Sequence, residues 1–233
     1  MDRYRRLKAE SIVETCAELS RRVAERFPET GLARVADELL AVSRRAAERA
    51  EEIGRPHWPL RLLAGLVVVL VLTAAGTMLA SVELTLKIGS FVELVQVVES
   101  SINDAILIGA ALFFIFSAET RIKRHRALEA LRELRSLAHV IDMHQLTKDP
   151  ESLLNADRAT LSSPKRAMTE HELNRYLDYC SEILSPLSKL AALYGQKFDD
   201  GIALSAVDQI ESLTTGLSRK IWQKIMILEG SPP

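Results

Sequence analysis

The chain predicts an all-α fold, in which a two-span transmembrane helical hairpin carries helical hairpins or a bundle on the cytoplasmic side. Three observations lead there. Leu62 to Val82 is a run of 21 residues without a charged side chain. At ~1.5 Å of rise per residue, such a helix matches the ~30 Å hydrocarbon core of a bilayer. A soluble core helix would not need apolar residues on every face for that length. Outside the apolar runs, hydrophobic residues recur at alternating spacings of three and four, the mark of helices with one buried face. Leu, Ala, Glu and Arg dominate the composition and Gly and Pro are sparse, which favours helix over disorder.

Residues 1–57 read as an N-terminal cytoplasmic helical hairpin. Ile12, Cys16, Leu19 and Val23 make one apolar stripe, and Phe27-Pro28-Glu29-Thr30-Gly31 breaks the helix. The stripe resumes as Leu32, Val35, Leu39, Val42, Ala46 and Ile53, with the spacing of a bundle or coiled-coil seam.

Residues 58–120 read as the transmembrane hairpin, with spans at about 62–82 and 100–118 and an outer loop at 83–99. The second apolar run, Ala105 to Ala118, is short by itself. Extended back to Ser100 it contains a single acid, Asp104, close to the end where headgroups or water are within reach. It stops at Glu119 and is followed by Arg121, Lys123, Arg124 and Arg126. The segment between the spans is itself patterned: Leu84, Ile88, Phe91, Val92, Val95, Val98 and Ile102 recur at helical spacing. Either it lies as a helix in the outer interface, or the second span starts early.

Basic residues set the expected orientation. Arg44, Arg45, Arg49, Arg55 and Arg61 precede the first span, and Arg121, Lys123, Arg124, Arg126, Arg132 and Arg135 follow the second. The loop from Glu83 to Asn103 holds only Lys87. Both termini are therefore expected in the cytoplasm. No cleavable signal peptide is expected, so the first span itself directs insertion. Trp58 sits where an interfacial aromatic anchor belongs. Small residues at four-residue spacing, Gly76 and Ala80 in one span and Ser101, Ala105 and Gly109 in the other, allow close helix packing within the hairpin or with a neighbouring copy.

After the second span, Leu128, Leu131, Leu134, Ala138 and Ile141 continue the helix through 121–147, and 148–168 reads as a linker. Residues 169–233 read as a C-terminal hairpin. Thr169 and Glu172 form a capping-box pattern. Leu173, Tyr176, Cys180, Ile183, Leu187, Leu190 and Tyr194 follow at three-four spacing, with a kink expected at Pro186. Ala203, Val207, Ile210, Leu217, Ile221 and Leu228 form the last seam.

Candidate chemistry is sparse. His139 and Asp142 share a helix face and can supply two metal ligands, but nothing nearby in sequence completes a set. No phosphate loop, His-Glu-x-x-His, Cys-x-x-Cys or Gly-x-Ser-x-Gly pattern occurs, so no enzyme and no cofactor are expected. The 30 basic residues are matched by 31 acidic ones, which gives no bulk attraction to nucleic acid. Cys16 and Cys180, far apart in sequence, read as reduced, half-buried thiols. Glu93, Glu99, Asn103 and Asp104 at the outer mouth are either a solvated loop or the lining of a cation path. Trp222, flanked by Arg219, Lys220 and Lys224, either rests on anionic lipid or packs into the bundle.

Residues 99–117, above all Asp104-Ala105-Ile106-Leu107-Ile108-Gly109 with Phe116-Ser117, resemble the second span of YqhA-type bacterial inner-membrane proteins. The resemblance implies a bacterial inner-membrane location and supplies no functional residues. The further spans that such proteins carry after the basic helix are absent. The expected function is a membrane-anchored interaction or scaffold protein that binds itself or another protein. The alternative is a small oligomeric cation channel or transporter subunit.

Overall fold

The computed structural model describes residues 6–84, 91–148, 150 and 168–230, and within them the side chains at 78–84, 91–94 and 97 are excepted. Six helices and no strand are found among the described residues: α1 (Ala9–Arg26), α2 (Gly31–Gly54), α3 (Trp58–Leu84), α4 (Phe91–Leu146), α5 (Glu170–Lys197) and α6 (Gly201–Glu229). The fold is all-α. Two compact units divide the chain: Met1–Gly54 with Arg126–Pro233, and Arg55–His125.

The larger unit is an up-and-down bundle of α1, α2, the second half of α4, α5 and α6. Its stripes are those the periodicity marks. Cys16, Val23, Leu32, Leu39, Ile141, Cys180, Ile183, Leu187, Leu190 and Ile221 are all fully enclosed. Polar contacts fix the directions. Ser20 donates to Asp37 at 2.5 Å across the antiparallel α1 and α2. Arg22 meets Glu182 of α5 at 2.7 Å, and Arg45 and Arg49 of α2 both hold Glu133 of α4 at 2.7 Å. Arg135 donates to Gln209, and further along the same pair of helices Lys224 donates to the Gln145 carbonyl, so α4 and α6 run parallel.

The ends of the helices follow local chemistry. Thr169 accepts from the Glu172 amide while the Glu172 carboxylate accepts from the Thr169 amide, a complete capping box. Asp200 accepts from the Ile202 and Ala203 amides and starts α6. Lys224 closes the end of α4 by donating to the Gln145 and Lys148 carbonyls at 2.8 and 3.2 Å. Between α1 and α2 the turn uses Glu29 at φ 57, and Thr30 accepts from the Ala33 amide. Gly31 follows because the His144 imidazole packs where a Cβ would stand.

Two features refine the sequence expectations. Helix α5 passes through Pro186 without a break, and Pro186 lies buried within it. Helix α4 begins at Phe91, inside the stretch assigned to the outer loop, and continues to Leu146. The helical spacing of Val95, Val98 and Ile102 accounts for this early start. Most of the linker expected at 148–168 lies outside the described residues.

The smaller unit pairs α3 with the first part of α4. Both helices are long and apolar enough to cross a membrane, and almost nothing in their apolar windows is buried. Leu62, Leu66, Leu70, Ile106, Leu107 and Phe113 are each more than half exposed. In water that would be a severe cost, at about 25 cal/mol per Å² of apolar surface. The two helices are tied at one end by Glu119. It takes Lys123 Nζ at 2.9 Å, Arg61 Nε at 3.2 Å and the His57 amide at 3.3 Å. The Lys123 hydrogen bond above all, then those of Arg61 and His57, hold the Glu119 carboxyl at about 2, against the burial that opposes its charge.

Candidate interaction surfaces

The residues singled out in the sequence occupy different places. Glu99, Asn103 and Asp104 are exposed on α4. The side chains of Glu93 and Ala80 lie outside the described residues. Ser101, Ala105 and Gly109 line an exposed face of α4, and a Cβ at Gly109 or at Gly76 would meet nothing within 4 Å. Those glycines therefore do not mark a close approach between the two helices of one chain. Ala64, 5% exposed, lies instead at a buried position of α3.

His139 is exposed, whereas Asp142 is engaged by Gln145, whose Nε2 donates at 2.6 Å. Among the described residues no group of three or more His, Cys, Asp or Glu side chains is placed to hold a metal ion. Cys16 and Cys180 are free and fully buried. Burial pushes both thiols up, Cys180 to about 12 despite the opposing influence of Lys224 and Lys148. Neither is a nucleophile in the folded bundle.

Trp58 is 67% exposed. Trp222 is 54% exposed and Met226 60%, so the indole does not fill the bundle core. It lies at the end of α6 that meets Gln145 and Lys148, opposite to the end from which both connections to the apolar hairpin leave.

A solvent-open groove of about 730 Å³ runs between α1 and α5. Its floor is apolar, made by Leu7, Ile12, Leu19 and Pro186. Its walls carry the cations Arg6, Lys8, Arg22 and Lys189 and the hydroxyls of Ser11, Thr15 and Ser185. The one acid, Glu182, is taken by Arg22. Lys189 also donates to Ser185 Oγ at 2.6 Å. The start of the groove is fixed by a two-way amide clamp: Leu7 N donates to Gln196 Oε1 at 2.9 Å, and Gln196 Nε2 donates to the Leu7 carbonyl at 3.3 Å. This clamp sets the backbone between Arg6 and Lys8 in place. The sequence gives no sign of the groove, because its walls come from helices some 160 residues apart. No protein-family model, curated protein or solved structure matches the chain.

Proposed function

We propose that the chain is a membrane-anchored helical interaction protein. The two apolar helices hold it in a bilayer, both termini lie in the cytoplasm, and the bundle engages a second copy or another protein. One observation carries the reading: a bundle with a complete core of its own presents an open groove with an apolar floor and charged walls. The two-unit division supports the topology. Segments on both sides of the apolar hairpin share one core, which supports placing them on the same side of the membrane. The basic residues flanking the spans favour the cytoplasmic side. The resemblance of residues 99–117 points to a bacterial inner membrane.

The test has two parts. Reporter fusions at Met1 and Pro233 should both give a cytoplasmic signal, and an external signal from either would refute the topology. Purified protein in lipid vesicles should pass no more cations than empty vesicles. Flux that falls on Asp104→Asn would replace this reading with that of a channel.

A further inference from the structure

The groove between α1 and α5 has a shape and charge that select an occupant. We infer that it receives an acidic amphipathic helix of a partner protein. This rests on the interaction reading given above and names the chemistry of the partner.

Three features carry the inference. The first is register. On α1 the lining positions include Lys8, Ile12, Thr15, Leu19 and Arg22, and on α5 Glu182, Pro186 and Lys189. On both walls they recur every three or four residues, the spacing at which the ridges of a third helix settle between two others. From Lys8 to Arg22 is roughly 21 Å at ~1.5 Å per residue, the length of about four helical turns. The second is the floor. Leu7 offers a half-buried apolar side chain to the groove, while Ile12 and Leu19, 6% and 2% exposed, anchor the floor rigidly in the bundle core.

The third feature is charge. Lys8 and Lys189 stand exposed on opposite walls, and Arg6 stands at the clamped end. Arg22 neutralises Glu182, so the walls present an excess of positive charge. A helix whose apolar stripe is bordered by Asp and Glu meets a cation on each side, whereas a basic helix meets like charges. That asymmetry sets partner choice and association rate more than raw affinity. Pro186 adds an acceptor, since it lacks an amide and leaves the Glu182 carbonyl without its helical donor.

The experiment uses the full chain in lipid nanodiscs and two synthetic helices of about sixteen residues. One carries a Leu stripe bordered by Glu, and the other is identical but with Lys for Glu. Fluorescence anisotropy should show the acidic peptide binding at least tenfold tighter than the basic one, with the preference shrinking as salt rises. Lys8→Glu with Lys189→Glu should reverse the preference. Both sites are exposed, and a Glu at the α1 N-terminus is favourable to the helix, so the bundle keeps its fold. Thr15→Trp, which fills the groove without altering charge, should abolish binding of the acidic peptide. Equal binding of the two peptides, or no response to either variant, overturns the assignment. Binding of both peptides to protein-free nanodiscs at the same strength would likewise overturn it in favour of a lipid interaction. Native-gel mass in solubilised membranes separates the two levels. A complex that persists in the double variant keeps the interaction reading and removes the groove from it. A wild-type chain that migrates alone at the mass of one copy removes both.

Discussion

Leu187 lies in the middle of α5 and is 0% exposed, so its side chain is entirely surrounded by the bundle. Replacing it with Ala removes three carbon groups and leaves helix propensity intact. At ~0.8 kcal/mol per buried carbon group, the lost transfer energy is about 2.4 kcal/mol. The cavity that remains raises the cost to about 3–5 kcal/mol, because neighbours close it only in part. For a unit of this size, 1 kcal/mol displaces the melting temperature by roughly 2–4 °C. The expected fall is therefore about 10 °C. The chain supplies its own reporter, since its only two cysteines are enclosed in the bundle and neither lies in the apolar hairpin. Labelling of detergent-solubilised protein with a thiol-reactive maleimide dye during heating should follow the opening of the bundle alone. Met143→Ala, at a site that is 66% exposed, serves as the matched control and should move the transition by no more than about 2 °C. A Leu187→Ala shift as small as the control's would mean that α5 does not pack as described.

Three further outcomes are expected. Burial, with Arg34 and Lys148 adding to it, holds His144 below its ordinary value, so below about pH 6.5 the unfolded chain takes up a proton that the folded bundle resists. Stability is then full above that pH and declines as the pH drops through it. The urea midpoint read by thiol labelling should fall between pH 7.5 and 5.5, and fall less in His144→Gln; equal falls would show that His144 is not involved. Glu119 works in the same sense at lower pH, its contribution being present above the ordinary carboxylate range and lost as the pH approaches about 2. A carbon-13 carboxyl titration of labelled protein should show one glutamate near that value, and its signal should be missing in Glu119→Gln. Gly109→Leu should leave the hairpin folded, since space is open there, yet lower cross-linking through a cysteine at Phe113 if copies meet on this face. Unchanged yield would assign the face to lipid.

Much of the fold was legible from spacing alone. Every apolar residue assigned to the stripe from Ile12 to Val23, and to the one from Leu173 to Tyr194, is buried, because a helix in a bundle must hide one face and the three-four spacing records which. The capping box at Thr169 was equally readable, being a contact between residues three apart. The Pro186 position was less so. A proline interrupts hydrogen bonding locally, but Pro186 is buried among the core positions of α5 and the helix continues through it from Glu170 to Lys197. The groove was not legible at all. It depends on which helices become neighbours, and pairings such as Arg22 with Glu182 or Leu7 with Gln196 leave no trace in local patterns. The small residues stand differently: Gly76 and Gly109 have the spacing of a packing motif, yet among the described residues of one chain nothing lies close to either, because spacing records a face and not the neighbour that meets it.

The bundle draws its helices from both sides of the apolar hairpin, and this orders its birth. Helices α1 and α2 leave the ribosome first and can pair, but the hollow between them and α5 stays unfilled until α4, α5 and α6 have been made. Their apolar stripes must wait in solution until the apolar hairpin and the helices after it have been made. In the membrane-anchored reading proposed above, a hairpin inserted with one flank on the wrong side keeps the late helices from meeting the early ones and leaves the stripes exposed. A correctly inserted chain closes its core and hides them. In that same membrane-anchored reading, completion of the bundle thus acts as a checkpoint on insertion, one in which the quality of the topology is read out as the solubility of the bundle.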